Sequence, residues 1–140
     1  MNKELKFRAY NKDKNKMSAP FYINALDDGG FEANEHGDLW YIDDCDIMQF
    51  TGLVSSDGGC HFPVQDAYFG DIVEFYNTDG NRSVAEIIWD DKLHCISFKR
   101  TDGFLLNYET IRNSGYFQPS NLQFQIIGNI YQNSELLNDN

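Results

Sequence analysis

Residues 70–89, GDIVEFYNTDGNRSVAEIIW, read as two β-strands folded back on each other across Asp79-Gly80. In the first arm Ile72, Glu74 and Tyr76 alternate with Val73, Phe75 and Asn77, the period of two that places one row of side chains on each side of a pleated strand. Asp79-Gly80 falls between the apolar runs because Gly takes a positive φ without steric cost. In the second arm only Glu86 interrupts Val84, Ala85, Ile87, Ile88 and Trp89, so this strand is expected to be buried on much of both faces. A strand opened by Gly-Asp and turned tightly into an apolar partner is common in small barrels of the SH3 type, a fold-level analogy. The expected fold class is mainly β: a small SH3-like barrel with additional N-terminal strands and at most short helical turns.

The chain has 140 residues, the length of one domain, read here as 1–140 with an N-terminal β subregion 1–50 and a barrel core of about 51–132. A chain of this size buries roughly two thirds of its unfolded surface, so it needs neither metal nor disulfide to form a core. Aromatic residues make up 15 % of it, far from a disordered composition. The first residues alternate charge and apolarity without the unbroken apolar stretch of a signal peptide, and no run approaches the ~20 apolar residues of a membrane helix. The expectation is a cytoplasmic protein with no membrane partner.

Cys45, Cys60 and Cys95 are an odd number, so reduced thiols are expected. Cys60-His61 and His94-Cys95 form mirrored pairs that together could offer two sulfurs and two imidazoles to zinc. Adjacent residues on a strand point to opposite faces, and no C-x-x-C spacing is present, so no metal and no cofactor are expected. Asp43-Asp44-Cys45-Asp46 lacks the alternating oxygen ligands and the glycine of an EF-hand loop and reads as a solvated turn between strands.

Charge is unevenly distributed. The net charge is −11, yet the 65 residues from Met17 to Asn81 contain no Lys or Arg and thirteen acids. Residues 1–16 hold six bases (Lys3, Lys6, Arg8, Lys12, Lys14 and Lys16) against Glu4 and Asp13. Opposite signs in the N-terminal arm and the middle suggest that the first strand packs beside the acidic part, although solubility alone explains the same pattern.

Along the rest of the chain, Leu5, Phe7 and Ala9 alternate with Lys6, Arg8 and Tyr10 as an edge-like first strand, followed by a polar turn at Asn11 to Lys16. Met17 to Leu26 reads as a second strand interrupted by Pro20. Residues 27–30 and 34–37 read as loops, and Leu39-Trp40-Tyr41-Ile42 as a short strand. Ile47 to Phe50 is another strand, closed by Thr51-Gly52. Residues 54–67 read as a long loop, the best candidate for a mobile or binding surface. Cys95 to Lys99 alternates again, Phe104 to Ile111 fits strand or helical turn, and Leu122 to Tyr131 is a strand broken at Gly128. Ser134 to Leu137 is at most one capped turn.

Four segments then stand out in order: Phe7-Arg8-Ala9-Tyr10 with Asn15-Lys16-Met17, IMQFTGL at 47–53, YFGDIV at 68–73, and IIGNIYQNSEL at 126–136. Over residues 6–137 they resemble the YopX family of phage and prophage proteins, which usually has Trp for Tyr10, Tyr for Phe50, Glu for Phe69 and Pro for Ser134. Where that family commonly has a short basic turn built on Asp-Lys-Asn-Gly, this chain has a longer, Lys-free loop with Cys60, His61 and Pro63. The resemblance implies a largely β protein with an SH3-like barrel, encoded in phage-derived DNA and without assigned catalytic residues, so it transfers no site. Its most recognisable positions here are Thr51, Gly52, Gly70, Asp71, Gly128 and Asn129. Each has a structural explanation: glycines release strands into turns, and Asp and Asn hydrogen-bond local backbone.

No nucleophile elbow, phosphate-binding glycine loop or His-Glu-x-x-His is present, and the only histidines are His36, His61 and His94. Accordingly no catalytic, cofactor-binding or metal-binding residue is assigned, and the chain is read as a non-enzyme. The leading functional expectation is a phage accessory protein that binds a host or phage protein through aromatic side chains near the 54–69 loop. The alternative is an acidic decoy that imitates DNA in the cleft of a host nuclease or regulator. So acidic a chain is not expected to bind nucleic acid, and exposed strand edges leave a homodimer open.

Overall fold

A computed structural model describes residues 5–22, 29–55, 64–76, 81–107 and 124–138, and these are overwhelmingly β. The chain divides into two compact units, Met1–Phe50 and Thr51–Asn140.

In the first unit the strand expected at an edge is interior. β1 (Lys6–Asn11) pairs on one side with β2 (Lys16–Met17) and β3 (Phe21–Tyr22). On its other side it pairs with β6 (Cys45–Val54), from Phe7↔Gln49 to Asn11↔Cys45. Pro20, between β2 and β3, has no amide to give a ladder. The segment after the polar turn therefore splits into β2 and β3 but stays on β1. Ser18 bridges the gap: its amide donates to the Ala9 carbonyl at 2.8 Å and its Oγ accepts the Ala9 amide at 2.9 Å.

Gly30, expected in a loop, opens β4 (Gly30–Glu32), which pairs with β5 (Leu39–Tyr41). Trp40 alone of β5 is buried, and with Phe21, Phe31, Ala9 and Ala33 it forms this unit's core. Phe31 stacks on Phe21 at 4.1 Å between ring centroids and meets Trp40 edge-on at 6.4 Å. A single 3₁₀ turn, Ile42–Asp44, follows. The expected stop at Thr51-Gly52 does not occur. Gly52 takes φ +87° and β6 continues to Val54.

The second unit is built on the hairpin of residues 70–89. β8 (Asp71–Tyr76) pairs with β9 (Arg82–Asp90) from Ile72↔Glu86 to Tyr76↔Arg82. Asp79 and Gly80 themselves lie outside the described residues. β10 (Cys95–Arg100) and β11 (Leu105–Asn107) extend the meander, while β12 (Gln125–Asn129) returns to the free side of β8. The resulting order, β11-β10-β9-β8-β12, is a sheet that curls into a half barrel. Its inner face carries Val73, Phe75, Ala85, Ile87, Phe98, Leu106 and Phe124, a core with Leu53, Phe69, Ile96 and Ile126 packed around it.

The second arm is less evenly covered than its composition suggests. Ala85 and Ile87 are fully buried, Val84 and Ile88 are half-buried, and Trp89 is 49 % exposed. Trp89 is the last apolar residue of β9; it lies opposite Ile96 in the ladder, and Phe69 meets its ring edge-on.

The break at Gly128 is a bulge. The register shifts between Ile126 and Gly128, and a Cβ on Gly128 would lie 2.6 Å from Asn133 Oδ1. Ser134–Leu137 is a 3₁₀ turn, but its cap residue is Asn133, whose Oδ1 accepts the Asn129 amide at 3.2 Å and does not cap the turn.

Candidate functional site

The recognisable positions of the second unit meet at one joint. The Tyr68-Phe69-Gly70-Asp71 turn joins β7 (Asp66–Tyr68) to β8, and the Asp71 carboxylate, fully buried, accepts the Tyr68 amide at 2.8 Å. Gly70, at φ +97°, donates its amide to Ile87 O and accepts the Ile130 amide, both at 2.9 Å. Asn129, opposite Asp71 in the ladder, accepts the amides of Tyr131 and Gln132 through Oδ1. Thr51 Oγ1 donates to Ala67 O at 2.8 Å and accepts the Leu53 amide at 3.0 Å. Every one of these bonds ends on backbone, so the polar residues join β6, β7, β8, β9 and β12 by satisfying turn amides and carbonyls that burial would otherwise leave costly. The joint explains the motifs without a substrate.

Beside it lies the unit's aromatic surface. Phe69, half-buried, leaves the Gly70 turn and meets Trp89 edge-on at 6.3 Å. Asp90 fixes the turn that follows Trp89, its Oδ1 accepting the amides of Lys92 at 2.9 Å and Leu93 at 3.3 Å. Leu93 is exposed on that turn. The Tyr68 ring, which the sequence placed among candidate contacts near the 54–69 loop, is 2 % exposed and belongs to the interior. Residues 56–63 of that loop, with Cys60 and His61, lie outside the described residues. Trp89 carried no signal of exposure in its composition; the Asp90-Asp91 pair that ends its strand was the available clue.

His94 and Cys95 stand in different surroundings. His94 stands in the left-handed region at φ +52° on an exposed turn, whereas Cys95 is half-buried, with Sγ accepting the Asn107 side-chain amide at 2.9 Å. Among the described residues no group of three or more His, Cys, Asp or Glu side chains gathers to hold a metal ion. The Asp43-Asp44 pair is exposed on its 3₁₀ turn. Partial burial raises the Cys45 thiol pKa, and the carboxylates of Asp44 and Asp46 raise it further, which disfavours the thiolate a nucleophile needs.

Glu86 is the other perturbed acid. It sits between Ile72 on one neighbouring strand and Lys99 on the other. Burial raises its pKa, and Lys99 opposes the shift. A carboxyl whose folded pKa lies above its unfolded one favours the native state fully below the unfolded pKa, and that advantage is lost as pH rises through the folded value. Glu86→Gln is therefore expected to stabilise the protein at neutral pH by on the order of 0.5 kcal/mol, after discounting for solvent screening of a half-exposed group. Urea titrations should show the gain shrinking toward pH 4; a loss at neutral pH would mean that the Lys99 pair outweighs burial.

The fold and its joint thus define a mainly β protein with a half-barrel second unit tied together by turn residues. The chain belongs to the YopX family, whose model, described as YopX protein, matches residues 6–138. Comparison with curated proteins and with solved structures yields no match.

Proposed function

We propose that this YopX-family chain is a phage or prophage accessory protein that acts by binding another protein and not by catalysis. The observation that supports it is the half-exposed Trp89, seated edge-on against Phe69 and followed by a turn that Asp90 holds. A large ring held on a rigid wall and open to solvent is the residue type that concentrates binding energy at interfaces. Affinity purification of the tagged chain from a lysogen should retrieve a stoichiometric host or phage protein. Trp89→Ala, with its fold verified by circular dichroism, should lose it. Repeated failure with folded wild-type bait would overturn the reading.

The acidic-decoy reading draws on the 65-residue stretch without Lys or Arg. Two of its acids are committed elsewhere: Asp71 is buried on the Tyr68 amide, and Glu74 pairs with Arg82 at 2.7 Å. Mimicry would then fall chiefly to Glu32, Glu35, Asp38, Asp43, Asp44 and Asp46 of the first unit, all exposed. Replacing those six with Asn or Gln should abolish any inhibition of a host nuclease if this second reading holds, and Trp89→Ala should leave it intact.

Under either reading the protein should not bind duplex DNA or RNA detectably at physiological salt. Non-specific binding requires several simultaneous phosphate contacts, and Arg82 is the only base from Met17 to Trp89. Lys12, Lys14 and Lys16 form a local patch, but the surrounding acids repel phosphate over a ~8 Å screening length. Micromolar binding in a fluorescence-anisotropy titration, weakening steeply with salt, would show that the lysine patch dominates.

A further inference from the structure

The first unit carries turns of opposite charge at the same end of one sheet. Asn11, the last residue of β1, lies opposite Cys45, the first of β6. The chain enters the Lys12–Lys16 turn on one side of this pair and leaves the Asp43-Asp44 turn on the other. Lys12, Lys14 and Lys16 are all exposed, as are Asp43 and Asp44. Among the described residues none of the three ammonium groups forms an ion pair. The basic turn is held in shape: Asn11 Oδ1 accepts the Lys14 amide at 3.1 Å, and the Tyr10 hydroxyl bonds the side chain of Asn15, which stands at φ +52°.

Apolar surface adjoins the acidic turn. Leu39 and Tyr41 project from the side of β5 opposite the buried Trp40, and Ile42 follows them; they are 54 %, 40 % and 39 % exposed. An apolar strip that runs into an acidic turn, itself beside a basic turn at the end of the β1–β6 ladder, has the composition of a protein interface, in which burial supplies affinity and the charged rim sets orientation.

We infer that this patch of the first unit pairs with the same patch on a second copy of the chain. A two-fold axis apposes the lysine turn of each copy to the Asp43-Asp44 turn of the other, so one surface complements itself and the charge contact forms twice. Leu39, Tyr41 and Ile42 meet their counterparts between the two contacts. Exposed ion pairs contribute little each, so the charges govern register and salt response, and the apolar strip carries the burial. The inference is independent of the Trp89 surface, which lies in the second unit.

Sedimentation equilibrium of the full chain tests it. The wild type should form a dimer of the 16.2 kDa chain at about 50 mM salt, with association at least ~10-fold weaker at about 500 mM. Lys12→Glu/Lys14→Glu/Lys16→Glu and, separately, Asp43→Lys/Asp44→Lys should each be monomeric. Mixed in equal amounts they should form a heterodimer, because the two reversed turns then face each other in one contact and the two unchanged turns in the other, opposite charges in both. Ile42→Asp should be monomeric with both charged turns intact, which keeps the inference testable if a reversal variant does not fold. A wild type that is monomeric at every salt concentration, reversal variants that remain dimeric, or a mixture that fails to associate would each overturn it.

Discussion

Phe98→Ala is expected to cost about 3–5 kcal/mol, the range for removing a fully buried aromatic ring whose site cannot collapse. Phe98 is 0 % exposed on β10 and stands between two other rings, with Phe75 at 5.6 Å and Phe124 edge-on at 5.4 Å. These three come from β8, β10 and the residue that enters β12, so the ring joins the middle of the meander to its returning strand. With ordinary domains stable by roughly 5–15 kcal/mol, the variant should lose a large part of the second unit's stability. Each unit contains one tryptophan, Trp40 in the first and Trp89 in the second. Urea titration of a Trp40→Phe background, followed by Trp89 fluorescence, therefore isolates the relevant transition. A cost under about 1 kcal/mol would mean that the ring does not occupy the centre of the core.

Gly70→Val should cost roughly 1–3 kcal/mol, by a different mechanism. Gly70 has φ +97°, a region that a β-branched residue enters only with strain. Relief by backbone movement is blocked at both ends, because the Gly70 amide is bound to Ile87 O and its carbonyl to the Ile130 amide. Moving the turn would break the joint among β8, β9 and the end of β12. Gly70→Ala should fall between wild type and Val, since it adds the Cβ without the branch. Thermal melts of the three proteins decide the matter, and equal midpoints would show that the turn adapts at no cost.

The family motifs become intelligible through that joint. Thr51, Gly70, Asp71 and Asn129 are scattered over nearly eighty residues of sequence, yet each bonds the backbone of a turn or of a neighbouring strand. Gly128 belongs to the same region for a steric reason, since the Asn133 side chain occupies the space of a Cβ. None of them needs a ligand to account for its chemistry. The aromatic pair of Phe69 and Trp89 is different, because burial alone does not explain a half-exposed Trp.

The sequence by itself determined the β class, the central hairpin, a short turn at Ser134–Leu137 and a break in the last strand at Gly128, because alternation and turn glycines act over neighbouring residues; that the turn is 3₁₀ and uncapped and the break a bulge came from the structure. Family membership was likewise legible in four short segments, since local order along the chain is all that such a resemblance requires. Tertiary structure alone decided that β1 is interior, that β6 runs through Gly52 and that Trp89 is half-exposed. Those outcomes depend on which distant strand arrives to share a ladder or cover a face. β2 and β3 take one side of β1 and β6 the other, while Trp89, on the same strand as the fully buried Ala85 and Ile87, stays half-exposed. The meeting of the lysine turn with the Asp43-Asp44 turn has the same origin. More than twenty-five residues separate them in sequence, and only the antiparallel register of β1 and β6 brings the two charges to one end of the sheet.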